Sequence, residues 1–434
     1  MHGAKTAIVL GGYGFIGSAC LRGLKQAGFR TIGVGRSLAQ GRKCDPDIEW
    51  IETDIASTSS GEWSQHLKCA DVVVNASGAL QDGLRDNLNG IHVDAMENLI
   101  GALTGTGVRV VQISAAGVSE DAKTEFMRSK ARGDNLLEAS GVDCVILRPV
   151  LVIGAQAYGG TALLRATAAL PFVRPRLFAE SAIQTVSVLE VAQAVVHAAT
   201  GGVSSGTVAD LTEAEQRTFP ELLETIRRWQ GFGAAKVEIG VPQWIASALG
   251  RVADCLGWLG WRSPLRTNAL RNLEVGIRGD PAVWSGAGGW RLGSLAETLA
   301  AMPASTQERW FARLYLLLPM SIAILSVFWI VSGLVGLAEF DAARLLLTER
   351  GITTAMATGA VVGGAIIDVL LGTAILFRKT VRFAAGGMII LSAFYLAAAT
   401  VWTPDLWADP LGPLLKVLPG MLLAIIVAAL VEDR

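Results

Sequence analysis

Apolar residues are distributed differently in the two parts of the chain. Up to about residue 300, short apolar runs alternate with segments whose apolar positions recur at helical spacing. Four longer apolar stretches follow, at 314–338, 352–377, 383–402 and 414–431. A short run is typical of a strand buried on both faces, whereas about 20 apolar residues can cross a bilayer as a helix. The pattern predicts an α/β domain followed by an all-α domain of four transmembrane helices; buried helices of a soluble protein are the alternative.

The first part alternates predicted strands with predicted helices. The strands are 6–10, 30–35, 48–53, 71–76, 108–113 and 142–147, and the clearest helices are 15–27, 88–104 and 122–140. Regular alternation of this kind builds a parallel sheet with helices on both faces. We therefore predict a doubly wound α/β fold, in which ligands bind beyond the carboxyl ends of the strands.

The turn after the first predicted strand is rich in glycine. It consists of Gly11, Gly12, Tyr13, Gly14, Phe15, Ile16 and Gly17, and a helix follows at once. Such glycines permit a tight turn, a close approach to a pyrophosphate and close packing of helix on strand. The helix N-terminus then offers N–H groups and partial positive charge to the phosphates. An ordinary strand-to-helix turn is the alternative, but the strand and helix on either side favour dinucleotide binding.

The end of the second predicted strand bears on the choice of cofactor. A site for NAD usually carries Asp or Glu here to bind the ribose 2′-hydroxyl, whereas this chain has Arg36 and Ser37. Arg36 can pair with a 2′-phosphate, Ser37 can donate to it, and Arg42 and Lys43 add positive potential. We predict NADP(H) in preference to NAD(H); a solvated basic loop is the alternative.

Two further turns lie at the same edge of the predicted sheet. Asp54 and Ile55 end the third strand, where the carboxylate can reach an adenine amino group or can serve instead as a turn or helix-capping residue. Ala76, Ser77 and Gly78 follow the fourth strand, and such small residues let a cofactor lie against the backbone. All five residues are predicted to contact the cofactor.

The amino-acid composition of the chain argues against several classes of function. The formal net charge of −1 gives no basis for binding nucleic acid. The five cysteines form no Cys-x-x-Cys pair and the four histidines are scattered, so neither a disulfide framework nor a metal site is expected. The mean hydropathy of +0.45 is too high for a purely soluble enzyme. The first residues run directly into a strand, so no signal peptide is expected.

The segments GGYGFIG, ISAAG, FMRSKARGDNLL and ILRPVLVIG resemble those of the extended and atypical short-chain dehydrogenase/reductases. Within that family, the chain is most similar to the NAD(P)-binding branch with the NDUFA9-like accessory subunits of complex I. The resemblance covers about residues 5–300. It implies a Rossmann core with a small substrate lobe over about 150–305, hence a domain of residues 1–305. It also adds Pro149, after the sixth strand, to the cofactor contacts.

The chain departs from this family at the catalytic position. The family uses a Tyr-x-x-x-Lys pair one helical turn apart, in which Tyr transfers the substrate proton and Lys binds the ribose. Phe126 and Lys130 occupy these positions, and Ser114 matches the catalytic serine. Phe126 has no hydroxyl to transfer a proton. Among the other tyrosines, Tyr158 lies on the predicted substrate side, where packing in its loop is favoured over a role as the acid; a surface position is the alternative for Lys130.

Basic residues near the predicted spans indicate their orientation. Two arginines precede the first span and the basic linker 378–382 joins the second to the third, whereas the linker 402–409 has no basic residue. The basic side is expected to face the cytoplasm. The protein would then lie in the cell inner membrane with its N-terminal domain and its C-terminus cytoplasmic. The loop 339–350 contains two arginines and is an exception that nearby acids offset.

Asp368 lies within the second predicted span, where a charge is costly. Lys416 could pair with it, or a protonated Asp368 could bind Ser332 or a backbone carbonyl. The segment WIVSG at 329–333, together with Asp368, resembles the DoxX-like four-helix membrane family, which implies a DoxX-like domain over 310–434.

The amphipathic segment 244–261 holds three tryptophans and an arginine. It could lie on a bilayer surface, where these residues are favoured, or in the core of the substrate lobe. We favour the core, because the lobe of the family has helices there.

Together these features predict a membrane-anchored NADP(H)-binding oxidoreductase of the short-chain type. Its substrate would be apolar or associated with the bilayer, and quinones and lipids are the classes considered. The rival is a non-catalytic module in which the bound cofactor is structural or sensory and the membrane half recruits a partner protein. Phe126 favours the rival, and Ser114, Lys130 and the Arg36 turn favour the enzyme. A transporter gated by the cofactor has only Asp368 in its favour.

Overall fold

The computed structural model describes residues 4–79, 82, 87–261 and 265–431. The chain divides into two compact units. One consists of Met1–Asp254 with Ser263–Ala312, and the other of Cys255–Arg262 with Arg313–Arg434. Each unit has its own hydrophobic core and is described separately below.

The first unit is built on one parallel sheet. Its strands are β1 (Thr6–Leu10), β2 (Arg30–Gly35), β3 (Glu49–Glu52), β4 (Val72–Asn75), β5 (Arg109–Ile113), β6 (Cys144–Pro149), β7 (Leu151–Ile153), β8 (Val173–Arg176), β9 (Ala182–Ile183), β10 (Thr185–Ser187), β11 (Thr207–Leu211), β12 (Arg217–Thr218) and β13 (Val237–Gly240). Seven of them form the main sheet in the order β11-β6-β5-β4-β1-β2-β3, with every neighbouring pair parallel. The order runs outwards from β1 in both directions, so the predicted doubly wound sheet is confirmed.

Helices follow most strands of this unit. They are α1 (Phe15–Gln26), α2 (Leu38–Cys44), α3 (Ser60–His66), α4 (Ala95–Leu103), α5 (Glu125–Ala139), α6 (Gly159–Ala168), α7 (Val188–Ala199), α8 (Phe219–Trp229), α9 (Gln243–Trp258), α10 (Thr267–Val275), α11 (Pro281–Gly286) and α12 (Leu295–Ala300). A π-helical turn, Gly90–Asp94, leads into α4. The helix predicted at 122–140 begins at Glu125, because Thr124 caps it by accepting a hydrogen bond from the Met127 N–H at 3.5 Å.

The two faces of the sheet bury separate cores. On one face, Leu24 of α1 and Val195 of α7 pack against β1, β4 and β5. On the other face, Trp63 of α3 and Leu99 of α4 pack against the alternate residues of the same strands. Burying a large apolar side chain stabilises the fold by about 1.5–3 kcal/mol. This two-sided burial explains why the central strands read as continuous apolar runs.

The strand β11 is absent from the sequence-based prediction. Its segment, TVADL, is short and includes Asp210, so it does not stand out as an apolar run. It becomes a strand by pairing with β6, where Asp210 lies opposite Arg148. Its formation therefore depends on tertiary pairing rather than on local pattern.

Beside the main sheet, the first unit contains short two-stranded sheets and a third core formed around α8. Glu213 is buried where several of these elements meet. Its carboxylate accepts hydrogen bonds from the Thr185 N–H at 2.9 Å and the Leu295 N–H at 2.8 Å, and Arg217 pairs with it at 2.5 Å. A buried carboxylate is tolerated only when it is paired in this way.

The second unit is helical and contains the predicted spans. Its helices are α13 (Thr306–Ala338), whose first residues belong to the first unit, α14 (Phe340–Thr348), α15 (Thr354–Ala374), α16 (Val381–Trp402) and α17 (Val417–Leu430). Among the described residues, α13, α15 and α16 are long and apolar enough to cross a membrane. The fourth predicted stretch is helical for only 14 residues, which is about 21 Å and short of the roughly 30 Å hydrocarbon core. The loop expected at 339–350 is largely helix α14.

Asp368 of α15 lies between two other helices of the bundle. Ser332 of α13 donates to one carboxylate oxygen at 3.3 Å, and Tyr395 of α16 donates to the other at 3.2 Å. Of the two alternatives for Asp368, a hydroxyl partner is therefore observed rather than Lys416. These bonds join three helices in an apolar surrounding.

The preference for placing 244–261 in the core of the lobe is wrong for the exposed half of that segment. Trp244 and Trp258 are 71% and 68% exposed. The residues that α9 buries are instead the small ones, Ala246, Gly250 and Ala253. The helix α9 packs so closely on the rest of the unit that only small side chains fit in the contact. The larger apolar side chains of α9 therefore point outwards.

We expect Glu213→Ala to destabilise the first unit by about 3–5 kcal/mol, because Arg217 and two buried amides lose their acceptor. The midpoint of thermal unfolding of the full-length protein in mild detergent should fall by several degrees. The matched control is Glu215→Ala, which removes an exposed partner of the same arginine and should cost less than about 1 kcal/mol. Equal effects of the two substitutions would contradict this role of Glu213.

Candidate cofactor and active site

The glycine turn after β1 has the geometry of a phosphate-binding turn. Gly11 has a φ of +69°, and a Cβ at this position would lie 2.9 Å from the carbonyl oxygen of Ala76. A Cβ on Gly17 would overlap the carbonyl oxygen of Gly11. Gly14 precedes α1 without a side-chain cap, which leaves the N-terminus of the helix available to an anion. Phe15 and Ile16 form the first turn of that helix.

Tyr13 connects this turn to the end of β2. Its hydroxyl accepts a hydrogen bond from the Arg36 N–H at 3.0 Å. Its ring lies against Gly35, where a Cβ would overlap it. The backbone that presents Arg36 is therefore held by the phosphate turn itself.

Arg36 is exposed directly after β2, and its contact with a 2′-phosphate stays a prediction. Ser37 caps α2 by accepting a hydrogen bond from the Gln40 N–H at 3.4 Å, and its own hydroxyl proton is not used by that bond. A carboxylate is also close, because Glu52 at the end of β3 accepts from the Leu38 N–H at 3.2 Å. This acid was not among the predicted site residues.

Asp54 and Ile55 form a turn after β3. The Asp54 carboxylate accepts a hydrogen bond from the Ala56 N–H at 3.2 Å, and the Asp54 carbonyl accepts one from the Thr58 hydroxyl at 2.8 Å. The turn alternative for Asp54 is thus observed. A contact with adenine stays a prediction.

The turn after β4 lies beside the glycine turn. Ala76 contributes the carbonyl oxygen next to Gly11, and the Asn75 side chain accepts hydrogen bonds from the N–H and hydroxyl of Ser77. A Cβ on Gly78 would lie 3.6 Å from His92 Nε2 and 3.9 Å from Lys130 Nζ. The three residues 76–78 therefore run from the phosphate turn to the catalytic position.

Lys130 is buried on α5, so the alternative of a surface lysine is wrong. Its ammonium donates to the carbonyl oxygen of Ile113 at 3.0 Å, at the carboxyl end of β5. Burial lowers the pKa of Lys130, and the nearby Asp134 raises it. One hydrogen bond leaves two ammonium protons for other acceptors.

Ser114 follows β5 and is also buried. Its hydroxyl donates to the Asp134 carboxylate at 2.7 Å, and Arg148 donates to the same oxygen at 2.9 Å. Burial raises the pKa of Asp134, while Ser114, Lys130 and Arg148 lower it. Ser114 can accept a hydrogen bond here, but its proton is already committed. Sequence reasoning missed Asp134, whose one signal is its position four residues after Lys130 in the motif.

Phe126 occupies the position of the family tyrosine. Its ring centroid lies 5.9 Å from Lys130 Nζ and 5.8 Å from the centroid of the His92 ring. Phe126 lacks the phenolic hydroxyl of the family tyrosine, and the ring of His92 lies directly beside it.

His92 lies in the π-helical turn, a feature that often marks a functional site. Its Nδ1 is 2.8 Å from the Ser129 hydroxyl, while its Nε2 is buried with no hydrogen-bond partner within the described part of the chain. Burial, together with the charge of Lys130, lowers the pKa of His92 to about 3, so the ring is neutral. No local pattern marks His92 as a site residue, because it is far from Lys130 in the chain.

Tyr158 lies in the loop after β7 and is 47% exposed. Its ring stacks on Phe15 with centroids 5.7 Å apart and an angle of 6°. Packing is thus its observed interaction, beside the start of α1. Pro149 ends β6, and its carbonyl accepts a hydrogen bond from the Ala116 N–H at 3.0 Å.

A cleft of about 660 Å³ adjoins the loop that follows Ser114. It is lined by this loop and α5 on one side and by residues of β11 and 272–280 on the other. Charged groups of both signs face it, namely Asp121, Lys123, Asp210, Arg278 and Asp280. The cleft can therefore hold a polar group beside Thr124 and Met127.

Two family matches agree with these features. Residues 11–200 match the NAD(P)H-binding family, and residues 326–425 match the DoxX-like family. The chain thus combines an NAD(P)-binding Rossmann domain with a C-terminal DoxX-like domain. The DoxX-like domain and the three long apolar helices indicate a membrane protein that associates with the lipid bilayer.

Two proteins of known name are similar to parts of this chain in sequence. The chain is 24% identical over 240 residues to subunit 9 of the NADH dehydrogenase (ubiquinone) 1 alpha subcomplex of Dictyostelium discoideum, covering 52% of this chain and 65% of that protein. It is 23% identical over 147 residues to ceramide reductase of Caulobacter vibrioides, covering 34% of this chain and 46% of that protein. The chain spans less than two thirds of either relative.

Among solved structures, the NADPH-dependent quinone oxidoreductase QOR2 of Escherichia coli, complexed with NADPH, aligns with a TM-score of 0.52 and 17% identity. The alignment covers 68% of this chain and 99% of that one. At this identity the likeness shows a shared fold alone.

We expect Gly17→Ala to weaken NADPH binding by a factor of about ten or more, because the added methyl forces α1 away from the glycine turn. Titration of nicotinamide fluorescence with the full-length protein in mild detergent measures this. Gly61→Ala is the control, since nothing lies near its Cβ position in α3. Wild-type affinity in a folded Gly17→Ala variant would show that the cofactor phosphates bind elsewhere.

Proposed function

We propose that this protein is a membrane-anchored, NADPH-dependent oxidoreductase that transfers hydride to an apolar acceptor in the bilayer. The observation that carries the proposal is the placement of Lys130 and Ser114. Ser114 is buried directly after β5, and the Lys130 ammonium binds the Ile113 carbonyl at the same strand end, with Gly78 beside Lys130. A buried, costly set of ionisable groups at the edge of a sheet where ligands bind is typical of a functional site.

The residues present fit a dinucleotide. We assign the pyrophosphate to residues 11–17, the adenosine to Asp54 and Ile55, the nicotinamide half to Ala76, Ser77, Gly78 and Pro149, and the nicotinamide ribose to Lys130. The absence of a Cβ at Gly11 and Gly17 supports this assignment, as does His92 Nε2, which has no hydrogen-bond partner among the residues that the structure describes. When bound, the cofactor supplies the hydride; the chain supplies the binding, orientation and charge.

The preference for NADP(H) rests on Arg36 and Ser37. Arg36 is exposed at the end of β2, where a guanidinium can bind a 2′-phosphate with two parallel hydrogen bonds. Glu52 is the competing feature, since a carboxylate can bind an unmodified ribose. One carboxylate oxygen of Glu52 accepts a hydrogen bond from the Leu38 N–H, so the preference for NADP(H) is proposed from Arg36 and Ser37 alone.

The missing tyrosine bears on the acceptor. Hydride transfer to an aliphatic ketone produces an alkoxide, a strong base that needs a proton donor at once. Hydride transfer to a quinone produces a hydroquinone anion, a far weaker base that can take its proton from water. Phe126 is therefore compatible with a quinone, and less so with an aliphatic ketone. The name of the ceramide reductase relative supports a lipid as the second acceptor class.

A non-catalytic role is the second candidate. Phe126 has no proton to give, and the Ser114 proton is committed to Asp134. The relative from Dictyostelium is named as a subunit of a larger assembly, which supports a module that binds NADPH and recruits a membrane protein. Tyr158 is a weak candidate for the missing acid, because it packs on Phe15 instead of approaching Lys130.

We assign residues 1–305 to the cofactor-binding domain with its lobe and 310–434 to the DoxX-like domain, in the cell inner membrane with the N-terminal domain and C-terminus cytoplasmic. The basic linker 378–382 supports this orientation. The loop 339–350, on the opposite side, contains two arginines and is an exception to this rule. Ion pairs with acidic residues offset the charges of both arginines. Arg344 pairs with Asp341, and Arg350 with Asp405, each at 2.9 Å.

Arg36→Ala should weaken NADPH binding about 10- to 100-fold and leave NADH binding nearly unchanged, because hydrogen bonds to a charged phosphate contribute about 1.5–3 kcal/mol. Fluorescence titrations with both cofactors measure the two affinities. Arg42→Ala is the matched control and should have a smaller effect. Equal losses for NADPH and NADH would refute a role for Arg36 in choosing the cofactor.

The full-length protein in lipid nanodiscs should oxidise NADPH when a short-chain ubiquinone analogue is added, and hardly at all with an aliphatic ketone. Absorbance of the reduced nicotinamide follows the reaction. Lys130→Met should abolish the oxidation, whereas Phe126→Tyr should add activity towards ketones, including a lipid ketone. Tight NADPH binding without oxidation by a quinone or a lipid ketone would favour the non-catalytic role.

A further inference from the structure

The helix α9 has an unusual distribution of side chains for a surface helix. Its buried face consists of Ala246, Gly250 and Ala253, which follow one another at helical spacing. A helix buried on one face normally presents polar residues on the opposite face. In α9 the opposite face is apolar.

We define the outer face of α9 as Trp244, Ala248, Leu249, Val252 and Cys255. All five residues are exposed, Trp244 to 71% and Val252 to 57%. Four of them recur at i, i+4, i+8 and i+11, and together they lie about half a turn from the buried face. The exposed polar residues, including Ser247 and Arg251, occupy one flank between the two faces.

The end of α9 is attached to the end of a candidate membrane span. Within the second unit, the indole N–H of Trp261 donates to the carbonyl oxygen of Leu376 at 2.6 Å. The backbone N–H of Arg378 donates to the carbonyl oxygen of Leu259 at 3.1 Å. The Arg378 guanidinium also lies 5.4 Å from the centre of the Trp261 ring. Leu376 and Arg378 directly follow α15, and the residues just beyond a span lie at the membrane surface.

We propose that the outer face of α9 is inserted into the surface of the lipid bilayer, in addition to the spanning helices. A tryptophan-containing apolar face with a flanking arginine is the composition of an interfacial helix. Trp244 and Trp258 belong to the residue type that is enriched at membrane interfaces, and Arg251 can reach lipid phosphates. This inference does not depend on whether the protein catalyses a reaction.

The attachment to the span argues for lipid over another protein chain. The outer face ends at Cys255, which belongs to the second unit, and the chain from there to Trp261 ends beside Leu376, so lipid is close to this end of the face. A second copy or a partner protein would have to cover the same face at that boundary. These occupants are therefore the alternatives that the experiment must distinguish.

The test uses the full-length protein in nanodiscs of phosphatidylcholine and phosphatidylglycerol, with the exposed Cys44, Cys69 and Cys255 changed to serine. A nitroxide spin label is attached to Val252→Cys on the outer face or to Ser247→Cys on the polar flank. A third label, on Val283→Cys, reports an exposed valine of α11 in the first unit. Power saturation then compares collisions with oxygen, which concentrates in lipid, and with a water-soluble nickel complex.

We expect the label at position 252 to collide several-fold more with oxygen than with the nickel complex, and the labels at 247 and 283 to show the reverse. Preferential collision of the 252 label with the nickel complex would show a water-exposed face and overturn the proposal. Shielding of that label from both reagents would show that protein covers the face, and would overturn it as well. Unchanged NADPH binding by each labelled variant establishes that it is folded.

Discussion

The close contact between the glycine turn and the first turn of α1 is the constraint on which the cofactor site depends. Gly17 lies so close to the carbonyl of Gly11 that no side chain fits between them, and Gly11 itself has a left-handed backbone against Ala76. This contact directs the N-terminus of α1 beyond the edge of the sheet. Tyr13 extends the same contact to the backbone of Arg36. The positions assigned to the pyrophosphate and to the 2′-phosphate are thus parts of one rigid arrangement.

A second constraint is the burial of ionisable groups next to that arrangement. Lys130, Asp134 and the neutral His92 lie around the ends of β4 and β5, where burial penalises any charge. The network is incomplete within the described residues, because His92 Nε2 and one Asp134 oxygen lack hydrogen-bond partners. A fold under no functional demand would gain stability by replacing such groups with apolar ones. Their presence beside Phe126 supports a site that binds and orients a ligand, although Phe126 itself has no hydroxyl to transfer a proton.

Local sequence patterns predicted those elements that a short, continuous stretch of the chain defines. The glycine turn, the apolar strands β1 and β4 and the membrane helices are of this kind, since each is defined by a short motif or a long composition bias. Features that arise from tertiary contacts were not predictable. Thr207–Leu211 becomes a strand only by pairing with β6, and His92 meets Phe126 and Lys130 only when α4 and α5 are packed together. The outward-facing tryptophans of α9 were misjudged because an amphipathic pattern does not tell which of two apolar faces is covered.

The central claim is that the glycine turn, Arg36 and Lys130 together bind one molecule of NADPH. The most direct measurement is an experimental structure of the full-length protein in nanodiscs at saturating NADPH. We expect density for the pyrophosphate against residues 14–17, for the 2′-phosphate beside Arg36 and for the nicotinamide ribose within hydrogen-bond distance of Lys130. Cofactor density elsewhere, or a glycine turn without cofactor at saturating NADPH, would contradict it.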